Sequence, residues 1–356
     1  MKIFLIINAL SNSGGTERVI SMLANDWSAE NEVTIITMNR EASFFPINTK
    51  IKVIGLDGGL LSNWLRIRKI VFEQKPDVII SASLKLLNIF MGSIYFTLNT
   101  KNIIKIAAEH ISYQSAGVKI NTLKRLFYKK FNYISVLTEH DKEIMKSTFK
   151  NVVVIQNPSP FSIDNENNSK DGYDMNYKTI AVGRLTYQKG FDDLLIIWSQ
   201  LDRKLKEIWS LDIVGNGEDE QNLKQLAATL EISDSVNFVK PTKDILSNYR
   251  QSNIYLMTSR FEGLPMVLIE AKTLGLPCIA FDCQTGPAEI IHDSEDGFLI
   301  PEGDNQKFVE RLEQLMRDPV LLDKMSRTSS KYAERYSISS VREQWFKLFS
   351  GRKINV

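Results

Sequence analysis

The stretch SRFEGLPMVLIEAKTLGLP, Ser259 to Pro277, holds two carboxylates, Glu262 and Glu270, on either side of a Gly-Leu-Pro turn that opens a helical pattern. Upstream, GRLTYQKGF places Arg184 and Lys189 directly after the strand-like run KTIAVG. An Arg fork and a mobile Lys together balance a diphosphate. Gly263 admits close backbone approach, and Pro265 suits a first helical position, where no N–H is needed. The N–H groups of the following turn, with the helix dipole, form an anion site. Glu262 leaves the turn beside that site, placed to accept from hydroxyls of a group attached to the diphosphate. Glu270 lies farther along, on the stripe of Met266 by the i,i+4 rule. There it is placed to accept from vicinal hydroxyls such as those of a ribose. A diphosphate flanked by two polyhydroxy groups is a sugar nucleotide.

Positioning these residues needs a scaffold, and the chain alternates β-rich runs with helix-period segments. KIFLIINAL leads to TERVISMLANDW, EVTIITM, IKVIGL, NWLRIRKIVFEQ and PDVIISAS, and later to IIKIAAEH, YISVLTEHD and VVVIQNP. Such alternation implies parallel sheets with helices on both faces. Near Asn157-Pro158 the rhythm breaks into PSPFSIDNENNSKDGYDMNY, which reads as an interdomain linker. A second series follows, through KTIAVGRL, WSLDIVGNG, VNFV, NIYLMTS and PCIAFD, and helical segments close the chain from about Gln306. The expected fold is therefore α/β, with two Rossmann-like doubly wound domains facing across a cleft. The expected boundaries are 1–160 for an acceptor-side domain and 161–335 for a nucleotide-sugar donor domain. A C-terminal helix within 336–356 is expected to return toward the first domain.

At 356 residues, with 43% hydrophobic and 24% charged, the chain has the size of two ordinary domains and the composition of a globular protein. The N-terminus lacks a cleavable signal pattern, and the longest apolar run, Leu86 to Leu98, is too short to span a bilayer. Two cysteines, Cys278 and Cys283, argue for a reducing compartment and read as core or near-core thiols. The expected localisation is cytoplasmic. No GxxxxGK[ST] loop, GxGxxG fingerprint or DxD pair occurs, so a bound diphosphate is neutralised without a dedicated metal site. No cofactor is expected.

Residues 1–150 carry 20 Lys+Arg against 12 Asp+Glu, a charge of +8, and the remainder carries 24 against 30, or −6. KINTLKRLFYKKFNYI is amphipathic, with Ile120, Leu123, Leu126, Phe127, Phe131 and Ile134 on one face and Lys124, Arg125, Lys129 and Lys130 largely elsewhere. Two readings stay open: a helix packed on its sheet with a solvated basic side, or contact with anionic lipid that delivers a lipid-linked acceptor. NWLRIRKIVF has the same chemistry. No stacking motif accompanies the charges, so nucleic acid is not an expected partner. Gly215 and Gly217 in VGNGE read as shaping a strand-end turn, and His140 in TEHD as structural or capping.

In order along the chain, the SGG loop (Ser13 to Gly15), AAEH ending at His110, SVLTEHD, QNP, VGRLTYQKGF, IVGNGE, SRFEGLPMVLIEA and FDCQTGPAEII with DGFLI resemble the retaining glycosyltransferases of family four. That family has the two-Rossmann GT-B fold, and Glu262-x7-Glu270 matches its signature. The resemblance implies that Gly15 lets the first domain's loop approach the donor diphosphate, and that Arg184 and Lys189 carry the leaving phosphate's charge. It further implies that Glu262 contacts the donor sugar, that the backbone of Gly263, Leu264, Pro265 and Met266 meets sugar and phosphate, and that Glu270 holds the ribose. His110 is implied beside the reacting centre. The sequence departs from many members at Lys240 and Pro241, where a glycine follows the strand VNFV. The Thr285 to Pro287 variant looks like bacterial surface-polysaccharide enzymes, including ones acting on polyprenyl-diphosphate-linked sugars. The activity so implied is transfer of a hexose or N-acetylhexosamine from a nucleotide-diphosphate sugar, with UDP the first expectation, to a glycan acceptor, forming an α-linkage without metal. A sugar-nucleotide epimerase of the same fold is the alternative.

Overall fold

The structure, a computed structural model, describes every residue except 13, 84–85, 110–117, 164–176, 243 and 352–356, and only the backbone of 83 and 118–121. His110, Ser13 and most of the expected linker therefore lie outside the described residues. The chain divides into two units: Met1–Pro158 with Ile338–Val356, and Ser159–Ser337.

Unit 1 is built on strands β1 (Lys2–Ile7), β2 (Glu32–Thr37), β3 (Lys52–Gly55), β4 (Val78–Ser83), β5 (Ile104–Glu109), β6 (Tyr133–Val136) and β7 (Val152–Val154). They form one parallel sheet in the order β3-β2-β1-β4-β5-β6-β7. β1 is buried from Ile3 to Ile7, as a strand covered on both faces requires. The final helix, Ile338–Phe349, belongs to this unit. Its Trp345 and Phe349 rings stand 5.9 and 5.5 Å from the buried Trp27 ring, and Arg342 Nη1 donates to Asp26 Oδ1 at 2.9 Å.

The amphipathic segment sits differently from its sequence expectation. Its helix, Val118–Phe127, buries Lys124 and leaves Leu123 and Leu126 exposed beside Arg125. The cause is Glu109, which is buried at the end of β5. Lys124 Nζ meets Glu109 Oε2 at 2.7 Å, Asn88 Nδ2 donates to Oε1 at 2.7 Å, and the Tyr128 hydroxyl donates to the same oxygen. A buried carboxylate without a cation costs more than two leucines left in water, so the charge pair sets the rotation of the helix. His140 lies within the first turn of its helix, and the N-cap position before it is Thr138. Thr138 Oγ1 caps the helix Glu139–Lys146 by accepting from Asp141 N at 3.1 Å.

Unit 2 carries β8 (Tyr177–Val182), β9 (Trp209–Val214), β10 (Val236–Val239), β11 (Ile254–Met257), β12 (Cys278–Asp282) and β13 (Gly297–Pro301). The parallel order is β10-β9-β8-β11-β12-β13, which is the 3-2-1-4-5-6 order of a Rossmann sheet. Its core gathers Leu194, Trp198, Leu211, Ile213, Ile279 and Phe308. Trp198 Nε1 is satisfied by Ser235 Oγ at 3.0 Å. Cys278 and Cys283 are both buried free thiols, as their apolar setting suggested. Among the described residues no helix is long and apolar enough to cross a membrane.

Candidate active site

β8 pairs with β9 on one side and β11 on the other, so the strand order of unit 2 reverses between β8 and β11. Ligands of open α/β sheets bind outside the carboxyl ends of strands at such a point. The loop after β8 carries Arg184 and Lys189, and the loop after β11 carries Glu262 and the Gly-Leu-Pro turn. The topology thus juxtaposes the two sequence stretches that hold the chemistry.

These loops are fastened to each other. Gly190 adopts φ +60°, and a Cβ there would collide with the Thr258 carbonyl oxygen, so the turn that presents Lys189 has to be glycine. Thr258 Oγ1 donates to Gly190 O at 2.8 Å, and Arg260 N donates to Gln188 O at 2.9 Å. Arg260 Nη2 bridges Asp192 Oδ2 at 2.8 Å and Asp193 Oδ2 at 2.7 Å, with its guanidinium 4.3 Å from the Tyr187 ring centre. Burial pushes the Asp192 carboxyl up, but the Arg260 hydrogen bond and charge outweigh it and hold the group below its usual range.

Across this seam Lys189 Nζ donates to Glu262 Oε1 at 2.6 Å. Arg184 sits on the same loop as Lys189, exposed; its carbonyl accepts from Thr186 N at 2.9 Å, and among the described residues its guanidinium has no hydrogen bond or ion pair. The Glu262 backbone is held from a third loop: Thr285 Oγ1 donates to Glu262 O at 2.5 Å. The adjoining Gly286, at φ +98°, lies so close to Gly263 O that no side chain fits. Leu264 and Pro265 are buried, while Gly263 and Met266 are half-buried. Pro265 departs from its expected place. Its ψ of 102° is extended, so it is the residue before the helix Met266–Thr273 and not the first helical one. No side chain caps that helix.

Glu270 is buried on this helix, and its Oε2 accepts from Tyr249 Oη at 3.0 Å. Tyr249 is itself fully buried, stacked on Tyr255 at 6.0 Å and edge-on to Phe161 at 6.0 Å. Burial first, and the Glu270 charge next, hold its phenol well above the usual tyrosine range, so it keeps its proton and donates. Two residues on, Lys272 is fully buried and pairs with Asp296, donating also to Ile290 O. Asp296 further accepts from His292 N at 2.9 Å. Burial pulls the Lys272 ammonium below its ordinary value against the opposing pull of Asp296. This pair anchors the helix that carries Glu270.

Lys189 and Glu262 are therefore in contact, and Gly263 to Met266 and Glu270 follow on the same turn and helix. Gly15, the first residue of the helix Gly15–Trp27, belongs to unit 1. Gly215 and Gly217 pack against Gly183 and Leu185, shaping the turn after β9 as expected. Sequence reasoning missed Tyr249, Thr285 and Lys272 as the groups that fix the site. The apolar neighbours of Glu270 signalled that it needs a buried donor, though not which one.

The family model described as glycosyl transferases group 1 matches residues 162–335. The chain is 35% identical over 355 residues to the amylovoran biosynthesis glycosyltransferase AmsD of Erwinia amylovora, covering 97% of this chain and 98% of that protein. The chain belongs to the group 1 glycosyltransferases. It is also 29% identical, over 98% of both chains, to a Campylobacter jejuni α-1,4-N-acetyl-D-galactosaminyltransferase whose named acceptor ends in PP-undecaprenol. Its fold is that of HepE from Anabaena, solved with UDP, at a TM-score of 0.79 and 17% identity over 99% of this chain and 100% of that one. With its two parallel-sheet Rossmann units, the chain has the GT-B fold. The epimerase alternative finds no support in these likenesses.

Proposed function

We propose that this glycosyltransferase moves a hexose or N-acetylhexosamine from a UDP-sugar to a polyprenyl-diphosphate-linked glycan, with retention and without metal. The product is an α-linkage in a bacterial surface polysaccharide. The observation that carries the reading is the Lys189–Glu262 contact at the switch point, with buried Glu270 on the helix that follows. The UDP in the HepE structure and the undecaprenol-linked acceptor named for the Campylobacter relative support the choice of donor and acceptor.

In this reading Arg184 and Lys189 take the diphosphate, and the uncapped start of the helix Met266–Thr273 adds its dipole. Gly263 to Met266 line sugar and phosphate, Glu262 accepts from sugar hydroxyls, and Glu270 accepts from the ribose. Unit 1 is taken as the acceptor-side domain, and the family resemblance is the ground for giving Gly15 a role at the diphosphate and His110 one at the sugar. The bond from the sugar C1 to the phosphate oxygen breaks while the acceptor oxygen attacks on the same face. The departing phosphate oxygen takes the acceptor proton, and charge stabilisation by Arg184 and Lys189 supplies most of the catalysis. The enzyme works in the cytoplasm, peripheral to the inner membrane.

The test is a donor screen. Purified protein is titrated with UDP-, GDP- and ADP-sugars, with and without EDTA, beside Glu270→Ala and Lys189→Ala variants. EDTA-insensitive binding of a UDP-sugar, lost in both variants, is the expected outcome. Binding indifferent to both changes would sink the site assignment.

A further inference from the structure

We propose that Tyr187 and Phe261 form an aromatic platform on unit 2 that stacks a sugar ring of the glycan acceptor. The proposal deepens the glycosyltransferase reading above and rests on it for the identity of the ligand. It gives the donor unit a contact of its own with the second substrate.

Aromatic side chains of unit 2 are otherwise hidden. Of the Phe, Tyr and Trp residues described there, Tyr187 and Phe261 alone are exposed, at 70% and 52%. Both sit on the loops after β8 and β11, Tyr187 two residues before Lys189 and Phe261 directly before Glu262. A single exposed ring needs no explanation, but two on the adjoining loops of the switch point do.

The backbone beneath both rings is fixed. Arg260 N donates to Gln188 O at 2.9 Å, and Gln188 Nε2 donates to Phe261 O at 3.0 Å. Arg260 Nη1 donates to Tyr187 O at 2.7 Å, and Phe261 forms a parallel bridge with Gln284 on the loop after β12. Residues 187–188 and 260–261 therefore run side by side. Rings carried on such a braced chain lose little freedom when a ligand lands on them.

The two rings stand outside the donor groups. Lys189 and Glu262 are largely shielded and hold each other, while their aromatic neighbours on the same loops turn to solvent. In the donor reading the diphosphate, its sugar and its ribose already have partners in Lys189, Arg184, Glu262 and Glu270. The outward rings are left for the second substrate. An acceptor brings more than its reacting hydroxyl, because the sugar ring that bears it has to lie beside the donor sugar while the bond forms.

The chemistry at the rings suits a neutral ligand. The Arg260 guanidinium, 4.3 Å from the Tyr187 ring centre, is matched by Asp192 and Asp193, a poor setting for a phosphate. A pyranose offers one face of C–H bonds polarised positive, and the face of an aromatic ring is negative. Stacking of the two needs no charge and leaves the sugar hydroxyls in water.

The experiment uses four probes: the methyl α-glycosides of glucose, galactose, N-acetylglucosamine and N-acetylgalactosamine. Each is titrated into full-length protein, with and without UDP, and followed by saturation-transfer NMR. Wild type is run beside Tyr187→Ser, Phe261→Ser, the double serine variant, and the ring-keeping Tyr187→Phe and Phe261→Tyr. UDP calorimetry, circular dichroism and gel filtration accompany every protein. Expected is saturation of the ring C–H protons of at least one glycoside, with affinity weakened about tenfold by each serine change. The ring-keeping variants should retain it, and UDP affinity should be unchanged throughout. Wild type that binds none of the four, or a double serine variant that binds them undiminished, would overturn the proposal. A loss of UDP affinity in step with the glycoside would assign the rings to the nucleotide and overturn it too. So would a dimer that the double variant dissolves while glycoside binding persists, since the rings would then be a self-interface. Glycoside binding as expected in a protein that ignores UDP would refute the donor reading and leave the platform standing.

Discussion

Lys189 and Glu262 hold each other in this structure, and their roles toward a donor separate them by sign. The side chains are 16% and 9% exposed, so the 2.6 Å pair is largely shielded from water. A charge-assisted hydrogen bond in such a place is worth about 1.5–3 kcal/mol. If Lys189 transfers that bond to a diphosphate, Lys189→Ala weakens UDP binding by roughly 10–150-fold, taking 1.4 kcal/mol per decade. Glu262→Gln acts in the other direction. It removes the anion that competes for the ammonium, and UDP alone has no sugar for Glu262 to hold. UDP therefore binds Glu262→Gln as well as wild type or better, while a UDP-sugar loses affinity relative to UDP. Calorimetric titration of both ligands into the three proteins measures all six constants. Equal weakening of UDP by both substitutions would show that the pair acts as a structural clasp and would refute the division of labour.

Three more outcomes follow from the same geometry. Tyr249→Phe removes the buried donor to Glu270 and should weaken UDP by about tenfold while leaving inorganic diphosphate unaffected; equal losses, read by calorimetry, would place Glu270 away from the ribose. Lys272→Met leaves fully buried Asp296 without its cation. Thermal unfolding of unit 2 should then fall by about 3–5 kcal/mol, and Lys272→Met/Asp296→Leu should lose less than the single change; a larger loss in the double variant would contradict that reasoning. Asp26, raised chiefly by burial and opposed by Arg342, contributes stability that is present below its ordinary pKa of 3.8 and lost as pH rises through the raised value. Denaturant unfolding of wild type against Asp26→Asn should therefore shift in favour of wild type as pH falls through the carboxylate range, and an opposite slope would mean that Arg342 outweighs burial.

The sheets were legible because parallel strands buried on both faces read as unbroken apolar runs, as in KIFLII and CIAFD. The nearness of the Lys189 and Glu262 loops follows from topology, because the first and fourth strands of a Rossmann unit are neighbours, but the direct pairing of the two side chains was not read from the sequence. What escaped the sequence depends on partners far along the chain. Tyr249 is 21 residues from Glu270, with no periodicity linking them. The rotation of the helix Val118–Phe127 was misread because counting leucines ignores a cation, Lys124, whose carboxylate lies 15 residues upstream on a strand end. Pro265 was placed one position too far into its helix because composition favours proline at the first turn and says nothing of its extended ψ of 102°.

The assignment of Ile338–Phe349 to unit 1 bears on the order in which the protein is made. Unit 2 is contiguous in sequence and has all its strands once residue 301 has been synthesised. Unit 1 begins first and finishes last. Until the chain has passed Phe349, the indole of Trp27 lacks Trp345 and Phe349, the rings that stand against it in the finished unit. Trp27 thus stays without that aromatic cover through the whole translation of the second unit, and a nonsense change upstream of residue 338 would strand the first unit in that state.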